Sequence, residues 1–342
     1  MKLWSKKKGE SKLSSKSKNI FGRAISTVGK FLAMRSKIFW MVSVAAVVFT
    51  FGIVAPIVDE FVVVQKLTDS VKAEKFFAAP KGYEGVKGTI FVAVMMNLYD
   101  VEFDRPLGGY RPDNLIWFAW PYDKVCNFQL GVMQVLQRTA IEIKDRTSRS
   151  GGGADRFDRR AAKMSAKWNM DLDDWFLTAW KLDSGRDLLD DYLEQLKATK
   201  AVKEKTGKYP ADGSVFLTNS VTLDGLLEVW YTLLGDVHKD LSDPDMVSTE
   251  VDDVYFRALG VVYAVGALAR AAHVEFANTL GTKEGETYYA ELEMNFRNAM
   301  AKPIPIWTFD GKGTLSNDRS KLETDVNAIR MNIGSIRNQL AK

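Results

Sequence analysis

Apolar and polar positions fall into three patterns along this chain. The first is an unbroken apolar run, IFWMVSVAAVVFTFGIVAPIV, from Ile38 to Val58, bounded by Lys37 and Asp59. Its 21 positions carry no charge, and a helix of that length, at about 1.5 Å per residue, matches a hydrocarbon core of about 30 Å. The run predicts a single N-terminal transmembrane helix, 38–58.

The second pattern is helical periodicity on both sides of that run. In residues 19–34, Ile20, Phe21, Ala24, Ile25, Val28, Phe31 and Leu32 recur at helical spacing, while Arg23, Ser26, Thr27 and Lys30 fall elsewhere on the wheel. This fits an interfacial helix on the inner leaflet, and equally a basic flank with incidental amphipathicity. Residues 59–79 read as a helical stalk through Phe61, Val64, Leu67 and Val71, ended by Ala79-Pro80-Lys81-Gly82.

Residues 80–342 then read as a helical body. Thr89 to Tyr99 is an apolar run too short to cross a membrane and is expected to be a core helix. A helix is predicted from about Asp123 to Arg146, with Phe128, Val132, Val135 and Leu136 buried. Ser148 to Ala154 (SRSGGGA) is expected to be a flexible loop. Further helices are predicted near 155–168, 171–205, 222–241 and 250–280, with Asp171 and Thr222 as N-caps. Ala258 to Ala269 is uncharged, but Asp252, Asp253, Arg257 and Arg270 crowd it too closely for a second span; a packed central helix is expected. Strand signals are sparse, the best being Pro303 to Phe309.

The third pattern is a heptad seam in the last helix, 317–342. Leu322, Val326, Ile329, Ile333, Ile336 and Leu340 alternate four- and three-residue steps. Such a seam fits contact with a partner chain, as a coiled coil, or docking along a groove of the same body. The fold class is therefore mainly α: one N-terminal transmembrane helix followed by an α-helical extracytoplasmic domain.

Charge gives the anchor a direction. Residues 1–37 carry eleven Lys or Arg against Glu10 alone, a net +10, whereas the remainder holds 36 basic and 42 acidic residues, a net −6. Basic flanks stay on the cytoplasmic side. The expected location is thus the inner membrane of a bacterial cell, with the N-terminus cytoplasmic and the body periplasmic. The basic tail is expected to meet anionic lipid, and the acidic body argues against nucleic acid as a partner. A cleaved signal peptide fits poorly, because the basic region and apolar run are too long and no A-x-A-like site follows. The single cysteine, Cys126, excludes an internal disulfide.

Candidate chemistry is thin. The two histidines, His238 and His273, are read as structural, and no G-x-S-x-G, S-x-x-K, Walker loop, C-x-x-C or H-x-x-x-H occurs. No cofactor or metal is expected. Asp171, Asp173, Asp174, Asp183, Asp187, Asp190, Asp191 and Glu194 are read as a solvated face opposite Trp175, Phe176, Ala179, Leu182 and Leu189. Cleavage of a glycan needs two carboxylates about 5–10 Å apart beside aromatic platforms. Asp113 and Asp123 as acids, with Tyr110, Trp117 and Trp120 as binding groups, are the candidates.

Two short motifs, Gly109-Tyr110-Arg111-Pro112-Asp113-Asn114-Leu115 and Asn127-Phe128-Gln129-Leu130-Gly131-Val132, resemble an uncharacterised family of bacterial single-pass inner-membrane proteins, defined only as a domain of unknown function. The resemblance spans most of the chain from the anchor onward. It implies a basic tail, one membrane helix and a helical periplasmic body, and it brings no activity. The family pattern near the first motif often reads Trp-Pro-Asn-Asp; the different order here counts against Asp113 as a catalytic acid. The expected role is a membrane-anchored envelope protein acting as a non-catalytic scaffold or interaction module, with a homo-oligomer or an envelope protein as partner. The alternative is a membrane-tethered enzyme acting on cell-wall or envelope glycan.

Overall fold

The computed structural model describes residues 40–43, 77–103, 123–150, 158–169, 175–246, 250–281, 283–300 and 318–341. The chain divides into two units, Met1–Val58 and Asp59–Lys342. In the first, residues 40–43 are helical, and Trp40, Met41 and Val42 expose their apolar side chains. The rest of the predicted anchor, the basic tail, the 19–34 segment and most of the stalk lie outside the described residues, as does the Pro303–Phe309 segment.

The second unit is mainly helical. Its helices are α1 (Thr89–Phe103), α2 (Asp123–Glu142), α3 (Arg159–Trp168), α4 (Trp175–Thr206), α5 (Ser220–Ser242), α6 (Val251–Glu275), the short α7 (Ala277–Leu280), α8 (Lys283–Met300) and α9 (Asp318–Leu340). A π-helical turn, Ile143–Thr147, continues α2 into β1 (Ser148–Ser150), which pairs antiparallel with β2 (Ser214–Phe216).

Helix α6 is the centre of this unit, and α1, α2, α5, α8 and α9 all pack on it. Among the described residues it is the one helix long and apolar enough to cross a membrane, and 78% of its apolar stretch is buried inside the body. Small residues explain how it can be surrounded: Ala258, Gly260, Ala264, Ala267 and Ala271 are all buried. A helix with side chains of that size lets neighbouring backbones approach closely. The closest approach is to α2, where a Cβ on Gly260 would stand 2.1 Å from the Phe128 carbonyl oxygen. Apolar burial around α6 is the main force holding the body together.

The heptad seam is spent inside the chain. Leu322, Val326, Ile329, Ile333 and Ile336 are buried, Leu340 packs half-buried on the same core, and α9 runs along α5 and α8. Of the two readings of the seam, a partner chain or a groove of the same body, this burial supports the second. The spacing reports a two-helix contact and does not identify the second helix.

Three local expectations differ from the structure. Ser148–Ser150, expected in a loop, is a strand because Ser148 lies opposite Phe216 and Ser150 opposite Ser214. The N-cap of α5 is Asn219, not Thr222: the Asn219 side chain accepts from the Thr222 N–H at 2.9 Å and from its hydroxyl at 2.8 Å. Helix α8 was not expected; it buries Tyr289, Leu292, Phe296 and Ala299 on one face.

Candidate functional site

Most of the residues proposed from sequence for glycan chemistry fall outside the described part of the chain. Tyr110, Asp113, Trp117 and Trp120 lie outside the described residues; Asp123 opens α2. The second motif has a structural explanation. Asn127 donates to Asp253 at 2.9 Å, Gln129 donates to the Glu102 carbonyl at 2.6 Å inside the core, and Phe128 lies 5.5 Å from the ring of Tyr263. Gly131 completes it, since a Cβ there would meet the Arg257 carbonyl oxygen at 2.1 Å. The motif is the α2 surface that docks on α6 and α1.

Asp171, Asp173 and Asp174 lie outside the described residues, and the remaining candidates take up structural positions. Along α4, Asp183, Asp187, Asp190, Asp191 and Glu194 are exposed while Leu182 and Leu189 are buried. Asp183 accepts from the Tyr99 hydroxyl at 2.7 Å. His238 on α5 stands 3.7 Å from Glu323 on α9; His273 on α6 meets Glu286 on α8 at 2.9 Å and stacks on Tyr289. Each histidine therefore joins two helices. Cys126 is buried in α2.

A site that sequence reasoning did not single out lies where α2 gives way to the π-helical turn. Glu142 ends α2 with only 7% of its surface exposed. Gly225 on α5 makes that burial sterically feasible, because a Cβ there would stand 2.0 Å from a Glu142 carboxylate oxygen. Arg146, one turn on, brings Nε to 3.4 Å from Glu142 and Nη1 to 3.4 Å from Glu228 of α5. Arg337 of α9 extends the network, with Nε 2.9 Å from Asp224 and Nη2 3.7 Å from Glu228. Glu142, Arg146, Gly225 and Glu228 line a cavity of about 150 Å³ together with Arg138 and Asp236.

Electrostatics single out Glu142 within this cluster. Burial pushes its carboxyl up to about 7; Arg146 pulls against that, and Asp145, Glu228 and Asp224 add to the rise. A carboxyl of this kind exchanges a proton near neutrality, the property a general acid or base requires. The π-helical turn beside it is of a kind frequent at functional sites. Cavity size sets the limit: small-molecule pockets typically span about 300–1,000 Å³, so this one admits a few atoms and not a sugar ring with its neighbours. The ion pairs beside it, Arg146 with Glu228 and Arg337 with Asp224, link the π-helical turn, α5 and α9. The sequence signal was available as Arg138, Glu142 and Arg146 at four-residue spacing, but that spacing is common on exposed helices.

Comparison with family models, with curated proteins and with solved structures returns no match to this chain.

Proposed function

We propose that the chain is a single-pass membrane-anchored envelope protein whose N-terminal helix, 38–58, holds a helical extracytoplasmic body as a non-catalytic scaffold or interaction module. The observation that carries this reading is the uncharged run Ile38–Val58 set between a +10 tail and a −6 remainder. The resemblance to single-pass inner-membrane proteins supports the same layout. A body with its own core built around α6 is the kind of cargo an anchor can present. The bilayer, with anionic lipid at the basic tail, is the first partner, and an envelope protein or a second copy the next.

Crosslinking in intact membranes followed by affinity purification of the full chain tests the module reading. Recovery of one specific envelope partner, or of a defined homo-oligomer, is the expected result; a monomer with no specific crosslink contradicts it. The alternative, glycan cleavage, rests on Asp113 and Asp123 and receives no support from the cavity at Glu142, which is too small. Incubating the membrane-reconstituted chain with purified peptidoglycan decides it: new fragments that disappear in Asp113→Asn and Asp123→Asn would establish the enzyme reading.

A further inference from the structure

The C-terminal end of α4 departs from the charge of the body around it. Over residues 197–208, Lys197, Lys200, Lys203, Lys205 and Lys208 stand against Glu204 alone. The segment entering the body from the anchor side lies on this same end. Lys197 Nζ sits 4.4 Å over the Tyr83 ring, and Lys200 donates to the Glu84 carbonyl at 3.2 Å. Residues 80–88 add Lys81 and Lys87 against Glu84. Lys81, Lys87, Lys197, Lys203, Lys205 and Lys208 are exposed.

Apolar groups are exposed among these charges. Val202 and Tyr209 belong to the large apolar residues that remain open to solvent, and Lys203 Nζ lies 4.1 Å over the Tyr209 ring. Long lysine stems beside a tyrosine and an aliphatic side chain suit the headgroup layer, where the stem and ring take the apolar side and the ammonium the aqueous side. Surface lysines are drawn to anionic lipid within about a Debye length, roughly 8–10 Å at ordinary salt. Only residues 59–76 separate Val58 from Phe77, a contour of about 70 Å at most.

We propose that the lysine-rich end of α4, with the 80–88 segment against it, is a docking surface for anionic phospholipid headgroups of the leaflet that the chain's own anchor enters. The proposal rests on the anchor reading. It concerns a surface distinct from the basic tail, residues 1–37, which the anchor places on the other side of the membrane. Headgroup phosphates accept from the exposed ammonium groups, while Val202 and Tyr209 enter the interfacial layer. Docking holds the body against the bilayer and leaves its opposite end free.

The test uses the full chain in nanodiscs of phosphatidylcholine alone, or with about 40 mol % phosphatidylglycerol, and reads acylation of each lysine by mass spectrometry. Lys203, Lys205 and Lys208 are expected to react about three-fold more slowly in the anionic discs, with the protection lost near 0.5 M salt. Exposed Lys239, near the C-terminal end of α5, serves as an internal reference and should not change. In the triple variant Lys203→Glu, Lys205→Glu, Lys208→Glu, protection should disappear at Lys197 and Lys81 as well. Equal acylation in the two lipids overturns the proposal. So does equal protection by inorganic phosphate in neutral discs, which would make the occupant a soluble anion. Loss of the chain from neutral discs on gel filtration is a different outcome, and it overturns the anchor reading beneath the proposal.

Discussion

Gly131 and Gly260 sit at one crossing, each with the other helix's backbone where its side chain would stand. A Cβ on Gly131 would lie 2.1 Å from the Arg257 carbonyl oxygen, and one on Gly260 would lie 2.1 Å from the Phe128 carbonyl oxygen. Backbone cannot rotate away as a side chain can, so any substituent must push α2 and α6 apart. Gly131→Ala and Gly260→Ala should each cost about 2–3 kcal/mol, toward the upper end of overpacking penalties. The double variant should cost less than the sum, because the first separation relieves the second clash. Denaturant unfolding of the full chain in mild detergent measures this; unchanged midpoints would show that the helices do not cross so closely.

Glu142 makes stability depend on pH with a defined sign. Its carboxyl titrates near 7 in the folded body against an ordinary value of 4.5. The folded state therefore binds the proton more tightly, and its stability falls as pH rises from about 4.5 through 7. Glu142→Gln keeps the shape of the protonated acid and removes the charge. The variant should match the parent near pH 4.5 and exceed its Tm by about 2–5 °C at pH 8. A Tm lower than the parent at pH 8 would show that the ionised carboxylate is a net stabiliser through Arg146.

The seam on α9 separates core from interface. Ile333 is fully buried and Met331, two positions away, is 58% exposed. Ile333→Ala should cost about 2–5 kcal/mol and leave the oligomeric state unchanged, while Met331→Ser should be close to neutral. An Ile333→Ala protein that loses an oligomer but keeps its Tm would return the seam to an interchain role.

Glu275 caps a helix that is remote in sequence. Its carboxylate accepts from the Gly88 N–H at 2.9 Å and the Ile90 N–H at 2.7 Å, at the N-terminus of α1. Burial raises its pKa, and these backbone donors oppose the rise. Glu275→Ala leaves two partly buried donors without their carboxylate and should cost about 1–2 kcal/mol. Hydrogen exchange at residues 88–91 should accelerate before that of the α6 interior. Uniform exchange changes would point to global loosening instead of a lost cap.

Much of the body was legible because burial follows helical period. The run at Ala258–Ala269 marked the central helix, and the seam marked five side chains that are fully or almost fully buried. What the spacing lacks is the identity of the opposing surface, so it named the buried face of α9 without naming α5 and α8. Ser148–Ser150 failed for a related reason: a three-residue strand exists only through its pairing with Ser214–Phe216, far along the chain. In α8 the apolar positions Tyr289, Leu292, Phe296 and Ala299 were diluted by Glu and Asn neighbours. Glu142 was hidden because its unusual carboxyl is made by Gly225 on another helix. The aromatic and acidic residues at 110–120 supplied plausible chemistry, but residue types alone carry no distances.

The most direct test of the anchored, exported body is a topology reporter at its C-terminus. Alkaline phosphatase, which folds to activity only after export, is fused behind Lys342 in one strain, and β-galactosidase, active only in the cytoplasm, in another. The charge pattern around Ile38–Val58 predicts phosphatase activity and no galactosidase activity, with both fusions retained in membranes after alkaline extraction. Galactosidase activity with an inactive phosphatase, or release of the chain from the membrane, would contradict it.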